Sequence, residues 1–451
     1  MPLALLLIPC LLAGCVTEVV KSNRGVPLGK PVKGAKASSP SQPSTPGGVK
    51  TDVVEMPDGP VAQPALGASV TSRVIVSVKP LGMVPFDGAV LPLVSPDGRY
   101  LATQVGDAPG WPTLLAQPDE QPPSTRVELF DIASSPVARV PFPDDSGNEP
   151  LLLGRGADSQ GVLVESPRPD GSRWIGRLEW TGHLRWLVQD GLVNAHATID
   201  ARGDVAYSQR DAGETERALV VRTAAGEMLG LRTPGVSYCF PSISADGSTV
   251  CAIALTRDAM EIVAVRTGLV GQKPMKAGSL GNIVARRVVS RRPDMGLAYQ
   301  CFASAQSMAG ARTPGADSTT NTTAQPGTLL LFSPAQQRMC VFDPTASELI
   351  PLAEGSIAAA PYRMAAGDSF FLTTAKGLMH QRLATRDNKP YALPCSRVLA
   401  DEYVARATNN LQLPFVLIGP GPKNDPGMLS VVAMGIAGEA DEGKLPPAKP
   451  K

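Results

Sequence analysis

Apolar positions along this 451-residue chain fall into short runs separated by polar turns. Val74-Ile75-Val76-Ser77-Val78, Val127-Glu128-Leu129-Phe130, Leu219-Val220-Val221, Met339-Cys340-Val341-Phe342 and Ser430-Val431-Val432 are examples, and Gly, Asp and Pro cluster between them. No long stretch carries the 3.6-residue period of an amphipathic helix. Many short runs at even spacing, each bounded by turn residues, predict an all-β fold.

The turns themselves repeat. In Ser95-Pro96-Asp97-Gly98-Arg99-Tyr100-Leu101-Ala102, Pro96 presets φ, Asp97 hydrogen-bonds locally, and Gly98 takes the positive φ that ends the turn. Ser244-Ala245-Asp246-Gly247-Ser248-Thr249-Val250 repeats the design. Looser copies occur at Asp158–Leu163, Asp200–Ala206, Pro293–Ala298 and Ala366–Phe371, with Asn409-Asn410 as a seventh. The glycines at 161, 203, 247 and 296 stand 42 to 49 residues apart, a period within reach of a four-stranded blade. Two longer gaps contain polar inserts, at 106–125 and about 303–327. Both are expected between the second and third strands of a blade.

The Ser95–Ala102 copy resembles the WD40-like repeat of TolB-type β-propellers. The resemblance spans about 73–435 and implies a propeller of four-stranded blades, seven by count within a range of six to eight. It makes Pro96, Asp97, Gly98, Asp246 and Gly247 structural turn residues rather than catalytic ones. The last blade is one strand short, and Val74–Val78 is spare. An N-terminal strand is therefore expected to close the ring, which also removes an exposed sheet edge.

Ahead of the propeller the pattern changes twice. Residues 2–14 form an apolar run ending in Leu12-Ala13-Gly14-Cys15, too short for the roughly twenty residues of a membrane span but suited to a signal peptide. The last four residues resemble the lipobox of bacterial lipoproteins, which implies cleavage after Gly14 and lipidation of Cys15. No Lys or Arg precedes the run, so only the α-amine charges the leader, and an ordinary secretory leader is the alternative. Residues 15–72 carry the anchor and a Pro/Ser/Gly-rich tether that cannot bury enough apolar surface to order. A flexible coil of that length reaches about 40 Å. Residues 436–451 are expected to form a flexible tail. Val16, where an aspartate commonly retains Gram-negative lipoproteins at the inner membrane, leans the localisation towards the outer membrane of a bacterial envelope.

Charge is balanced, 42 basic against 41 acidic residues, which excludes the basic field of a nucleic-acid binder. No later segment is long and apolar enough for a membrane helix. Beyond the leader, Cys239, Cys251, Cys301, Cys340 and Cys395 match no zinc spacing. They read as buried thiols, with one disulfide left open. The histidines number three, His183, His196 and His380, and neither H-E-x-x-H nor G-x-S-x-G occurs. Asp144–Glu149 begins like a calcium loop but has Glu149 where Gly is required and Arg155 where a bidentate Glu belongs. Asp170-Gly171-Ser172-Arg173-Trp174 departs from the sialidase Asp-box in its spacing, and Trp174 is expected to pack between blades. No catalytic residue, metal ligand or cofactor is expected.

Two functions remain. One is a membrane-anchored, non-catalytic scaffold that binds a protein or an envelope polymer through its loop face, with Trp111 in the 106–125 insert as the contact candidate. The other is a propeller enzyme of lactonase, lyase or glycosidase type with a site at the central channel.

Overall fold

The computed structural model describes residues 72–85, 92–105, 126–143, 149–200, 202–244, 247–269, 278–290, 329–333, 338–343, 347–364, 367–386, 389–401, 403–408, 414–421 and 427–441. All lie in the compact unit Gln63–Lys451, and every regular element among them is a strand.

After β1 (Ser72–Pro85) the first sheet runs β2 (Leu93–Val94), β3 (Tyr100–Val105), β4 (Arg126–Asp131) and β5 (Ala138–Arg139), each bonded to the next. The second is β6 (Leu152–Ala157), β7 (Gly161–Pro167), β8 (Arg173–Glu179) and β9 (Leu184–Val188). The third is β10 (Val193–Ile199), β11 (Val205–Arg210), β12 (Ala218–Arg222) and β13 (Met228–Leu231), joined to the second only where Val193 pairs in parallel with Arg173. The fourth is β14 (Ser237–Ile243), β15 (Thr249–Leu255), β16 (Met260–Arg266) and β17 (Ile283–Ser290). The fifth shows β18 (Leu329–Ser333), β19 (Arg338–Asp343) and β20 (Glu348–Pro351). The sixth is β21 (Ala358–Met364), β22 (Gly367–Thr374), β23 (Gly377–Arg386) and β24 (Lys389–Ala392), with β25 (Ser396–Leu399) also on β23. The seventh takes β26 (Val404–Ala407), β27 (Phe415–Pro420) and β28 (Met428–Asp441), and completes itself with β1.

The apolar core shows that these sheets form a closed ring. Leu163, Ile175 and Val205 join the second blade to the third, and Leu219, Val221, Val250 and Val263 join the third to the fourth. Cys251, Ile253, Cys340 and Phe342 continue to the fifth, and Val341, Met339, Phe370 and Leu372 to the sixth. Phe371 and Leu378 meet Phe415 and Leu417 of the seventh. Val416, Ile418 and Val84 then meet Leu101 and Phe130 of the first, whose Leu129 and Val127 pack on Val162 and Val164 of the second. Among the described residues, seven sheets thus share seven inter-blade cores, and the fold is a β-propeller. Each middle strand serves two of these cores by period-two alternation. In β15, Val250 and Ala252 face the third blade while Cys251 and Ile253 face the fifth. With both faces covered, the strands read in sequence as continuous apolar runs.

Closure uses the expected N-terminal strand, and β1 is longer than Val74–Val78 suggested. It is antiparallel to β28 from Ser72↔Asp441 to Pro85↔Met428, with two register shifts. Because β28 reaches Asp441, the beginning of the expected C-terminal tail belongs to the sheet. The fifth blade also differs from expectation. Three consecutive antiparallel strands, β18, β19 and β20, follow the 303–327 insert, where only a third and a fourth were expected. The 291–328 stretch, including the Pro293–Ala298 copy, lies outside the described residues.

Candidate functional site

The repeat turns sit at one end of the ring. Between β2 and β3, Ser95 Oγ accepts from the Tyr100 amide at 2.8 Å, Gly98 N donates to Ser95 O at 2.9 Å, and Arg99 N donates to Asp97 Oδ1 at 3.0 Å. Ser244 Oγ accepts from Thr249 N at 3.0 Å in the equivalent turn of the fourth blade. In the second and third blades an aspartate takes the serine's place: Asp158 Oδ1 accepts from Gln160 N and Gly161 N, and Asp200 Oδ1 from Arg202 N and Asp204 N. Gly98 and Gly247 have φ of 75° and 65°. A Cβ on Gly98 would also lie 3.1 Å from Thr408 of the neighbouring blade, so that turn needs glycine for conformation and for space. Pro96, Asp97 and Gly98 lie in the β2–β3 turn of the first blade, and Gly247 lies in the β14–β15 turn of the fourth. Asp246, Trp111 and Leu12-Ala13-Gly14-Cys15 fall outside the described residues.

Nearer the axis, three consecutive inner strands are bulged at the same place. The ladder skips between Leu153 and Ala157 on β6, between Ala195 and Thr198 on β10, and between Cys239 and Ser242 on β14. The displaced residues include Arg155, His196 and Phe240, and the last two adopt φ of 61° and 49°, uncommon for histidine and costly for a bulky residue. Their side chains converge. His196 stacks on Phe240 with centroids 4.1 Å apart, and the Arg155 guanidinium lies 4.8 Å from the same ring. Arg155 and Phe240 come from the second and fourth blades, which meet only towards the axis. The amide of Phe240 donates to His196 Nδ1 at 3.4 Å, and Ser208 Oγ lies 3.4 Å from the same nitrogen. Glu165 of β7 accepts from the Ala197 amide at 3.1 Å, an amide that the bulge releases from the ladder, and Gln104 of β3 accepts similarly from Leu153 N at 2.8 Å. The sequence contains a faint trace of this cluster: Arg155, His196 and Phe240 precede the turn residues Asp158, Asp200 and Ser244 by three or four positions.

At the opposite end from the repeat turns, the second blade presents an aromatic rim. The Arg168 guanidinium lies 3.9 Å from the Trp174 ring and 4.7 Å from Trp186, and its Nη1 pairs with Glu149 at 3.0 Å. Trp174 and Trp186 meet edge to face at 5.4 Å. Both are half-buried, and Trp174 contacts Trp186 of its own blade, which corrects the expectation that it packs between blades. This rim lies at the end where β3 and β4 flank the 106–125 insert. The insert and the Asp144–Asn148 part of the acidic loop are outside the described residues.

Among the described residues no group of three His, Cys, Asp or Glu is placed to hold a metal ion. Cys239 and Cys251 lie buried on β14 and β15 without a disulfide, and burial pushes the Cys251 thiol up to about 12.

No protein-family model and no curated protein matches this sequence. Solved structures similar to it include TolB from Acinetobacter baumannii, at 20% identity over 45% of this chain and 46% of that one, with a TM-score of 0.29. The match therefore spans about half of the TolB chain. The Dos1 propeller is 10% identical over 79% of this chain and 95% of its own, TM-score 0.43. A chain of the mitotic checkpoint complex is 9% identical over 85% and 99%, also at 0.43.

Proposed function

We propose that the chain is an envelope lipoprotein, lipidated at Cys15, whose propeller is a non-catalytic scaffold for a protein or envelope-polymer partner. The observation that carries the binding role is the Arg168–Trp174–Trp186 rim. Tryptophan and arginine are the residues most enriched at interface hot spots, and here they are in ring contact, half-exposed and at the end of the blades where β3 and β4 flank the 106–125 insert. The leader and tether support the anchoring, and a tether of about 40 Å gives the head reach above a membrane.

The test has two arms. Cys15→Ala should move the folded protein from the membrane to the soluble fraction, and a variant that stays membrane-bound overturns the anchor. Affinity capture from native envelopes should lose the same partner with Trp186→Ala and with deletion of 107–125. Retention of every partner by both variants overturns the loop-face reading.

A further inference from the structure

The ladder that closes the ring is not uniform along its length. Between Ser72↔Asp441 and Pro85↔Met428 it is broken twice. Ala437 of β28 is passed over between Ile75↔Gly438 and Val76↔Ile436, and Leu81 of β1 between Pro80↔Val432 and Gly82↔Val431. Pro80, just before the second break, has no N–H to give a neighbouring strand. On its outer side β1 has no further strand among the described residues. Support on the inner side also ends early. β28 pairs with β27 only from Leu429 to Met434, so residues 435–441 have β1 as their one strand partner among the described residues. Residues 72–77 and 435–441 are therefore a two-stranded ribbon, an arrangement that is marginally stable by itself in water.

The side chains divide at the same place. Among the described side chains before Leu81, only Val74 is buried, and Val76 packs partly beside it against Val398, Leu399 and Phe415. Ile75 and Val78 are 50% and 48% exposed, and Ser77, Lys79 and Pro80 are exposed with them. After the Leu81 bulge the strand is wedged in place. Val84 is fully buried among Leu101, Phe130 and Ile132 of the first blade and Val416 and Ile418 of the seventh. A Cβ on Gly82 would lie 2.5 Å from Val137 Cγ2, so the backbone itself presses on the first blade. Segments with few buried apolar contacts open at lower free energy than the core they lie on.

We propose that residues 72–80 form a releasable strap, which unzips from β28 as far as the Leu81 bulge while residues 81–85 keep the ring closed. Release starts at Ser72, where the preceding chain enters the strand. It passes two ladder segments of four and five pairs before it meets the wedge at Gly82 and Val84. The nine released residues add about 30 Å of extended chain, at about 3.3 Å per residue, to the reach of the head. That added reach rests on the tethered reading above, whereas the release itself rests on register and burial alone.

Thiol trapping in the full chain, in mild detergent, tests this. In Val74→Cys and in Val84→Cys, maleimide labelling of the peptide that carries the substitution is followed by mass spectrometry, without urea and in rising urea. Val74→Cys should label at least tenfold faster than Val84→Cys. Its urea dependence should be measurable but shallower than that of global unfolding, because the slope scales with the surface exposed. Val84→Cys should follow global unfolding. Adding Val76→Ala should speed labelling at residue 74 several-fold and leave residue 84 unchanged. If Val84→Cys does not fold, Val416→Cys, buried on β27, takes its place as the reference. Equal rates at the two sites, or a Val74→Cys slope as steep as global unfolding, overturn the strap, because β1 then opens only with the ring. A slope of zero overturns it too, since the side chain is then reached without release of the strand. Membrane retention of Cys15→Ala would remove the added reach and leave these rates as the measure of the strap.

Discussion

Val84 offers a direct test of how the ring is held shut. It lies near the end of β1, pairs with Leu429 of β28, and is fully buried. Its neighbours come from both ends of the propeller: Leu101, Phe130 and Ile132 of the first blade, and Val416, Ile418 and Val431 of the last. Val84→Ala removes two methyl groups, worth about 1.6 kcal/mol at about 0.8 kcal/mol each. A cavity of roughly 40 Å³ adds about 1 kcal/mol at about 24 cal/mol per Å³ if the walls stay in place. The expected loss is thus about 2–3 kcal/mol. Val78 lies on the same strand but is 48% exposed, so Val78→Ala should change stability by less than about 0.5 kcal/mol. Urea unfolding followed by far-UV circular dichroism reads both. The Val84 variant should unfold at lower urea in one transition, because the residue joins blades that must come apart together. Equal midpoints for Val84→Ala and the parent, or a larger shift from Val78→Ala, would refute the role of β1 as the closing strand.

Three further outcomes follow from the same packing. Gly161→Ala should destabilise strongly, by several kcal/mol in thermal unfolding, because its Cβ would stand 2.2 Å from Leu178 O and 2.7 Å from Glu179 Cα, both backbone atoms. Asp158→Ala should cost about 3–5 kcal/mol: it strands Arg177, whose Nη2 bonds Asp158 at 2.7 Å with both side chains buried, and it frees two turn amides. Burial, and then the Arg382 charge, hold His380 down at about 4. The folded state therefore keeps it neutral while the unfolded chain takes up a proton below about pH 6.5. Stability should be complete above pH 6.5 and fall between 6.5 and 4 by up to about 1.4 kcal/mol per pH unit, and His380→Gln should flatten that slope.

Much of the architecture was legible because its signals are local. Ser95-Pro96-Asp97-Gly98 forms its turn from hydrogen bonds that span at most five residues, so the tetrapeptide announces itself. The spare N-terminal strand could be counted because blades come in fours. Trp174 was misplaced because period-two alternation sets the face of a strand, whereas its contact with Trp186 depends on the β8–β9 pairing. The cluster of Arg155, His196 and Phe240 was missed for a related reason. Each residue stands alone in an ordinary apolar run, and only bulges at matching places on three strands bring them together.

By itself, then, the sequence determined strand, turn and repeat, since each depends on chemistry within a few residues. Tertiary structure alone decided which blade meets which, how far β1 and β28 run together, and that Arg155, His196 and Phe240 meet. Those relations depend on register between strands, and register is settled when side chains distant in sequence interlock on both faces of every blade.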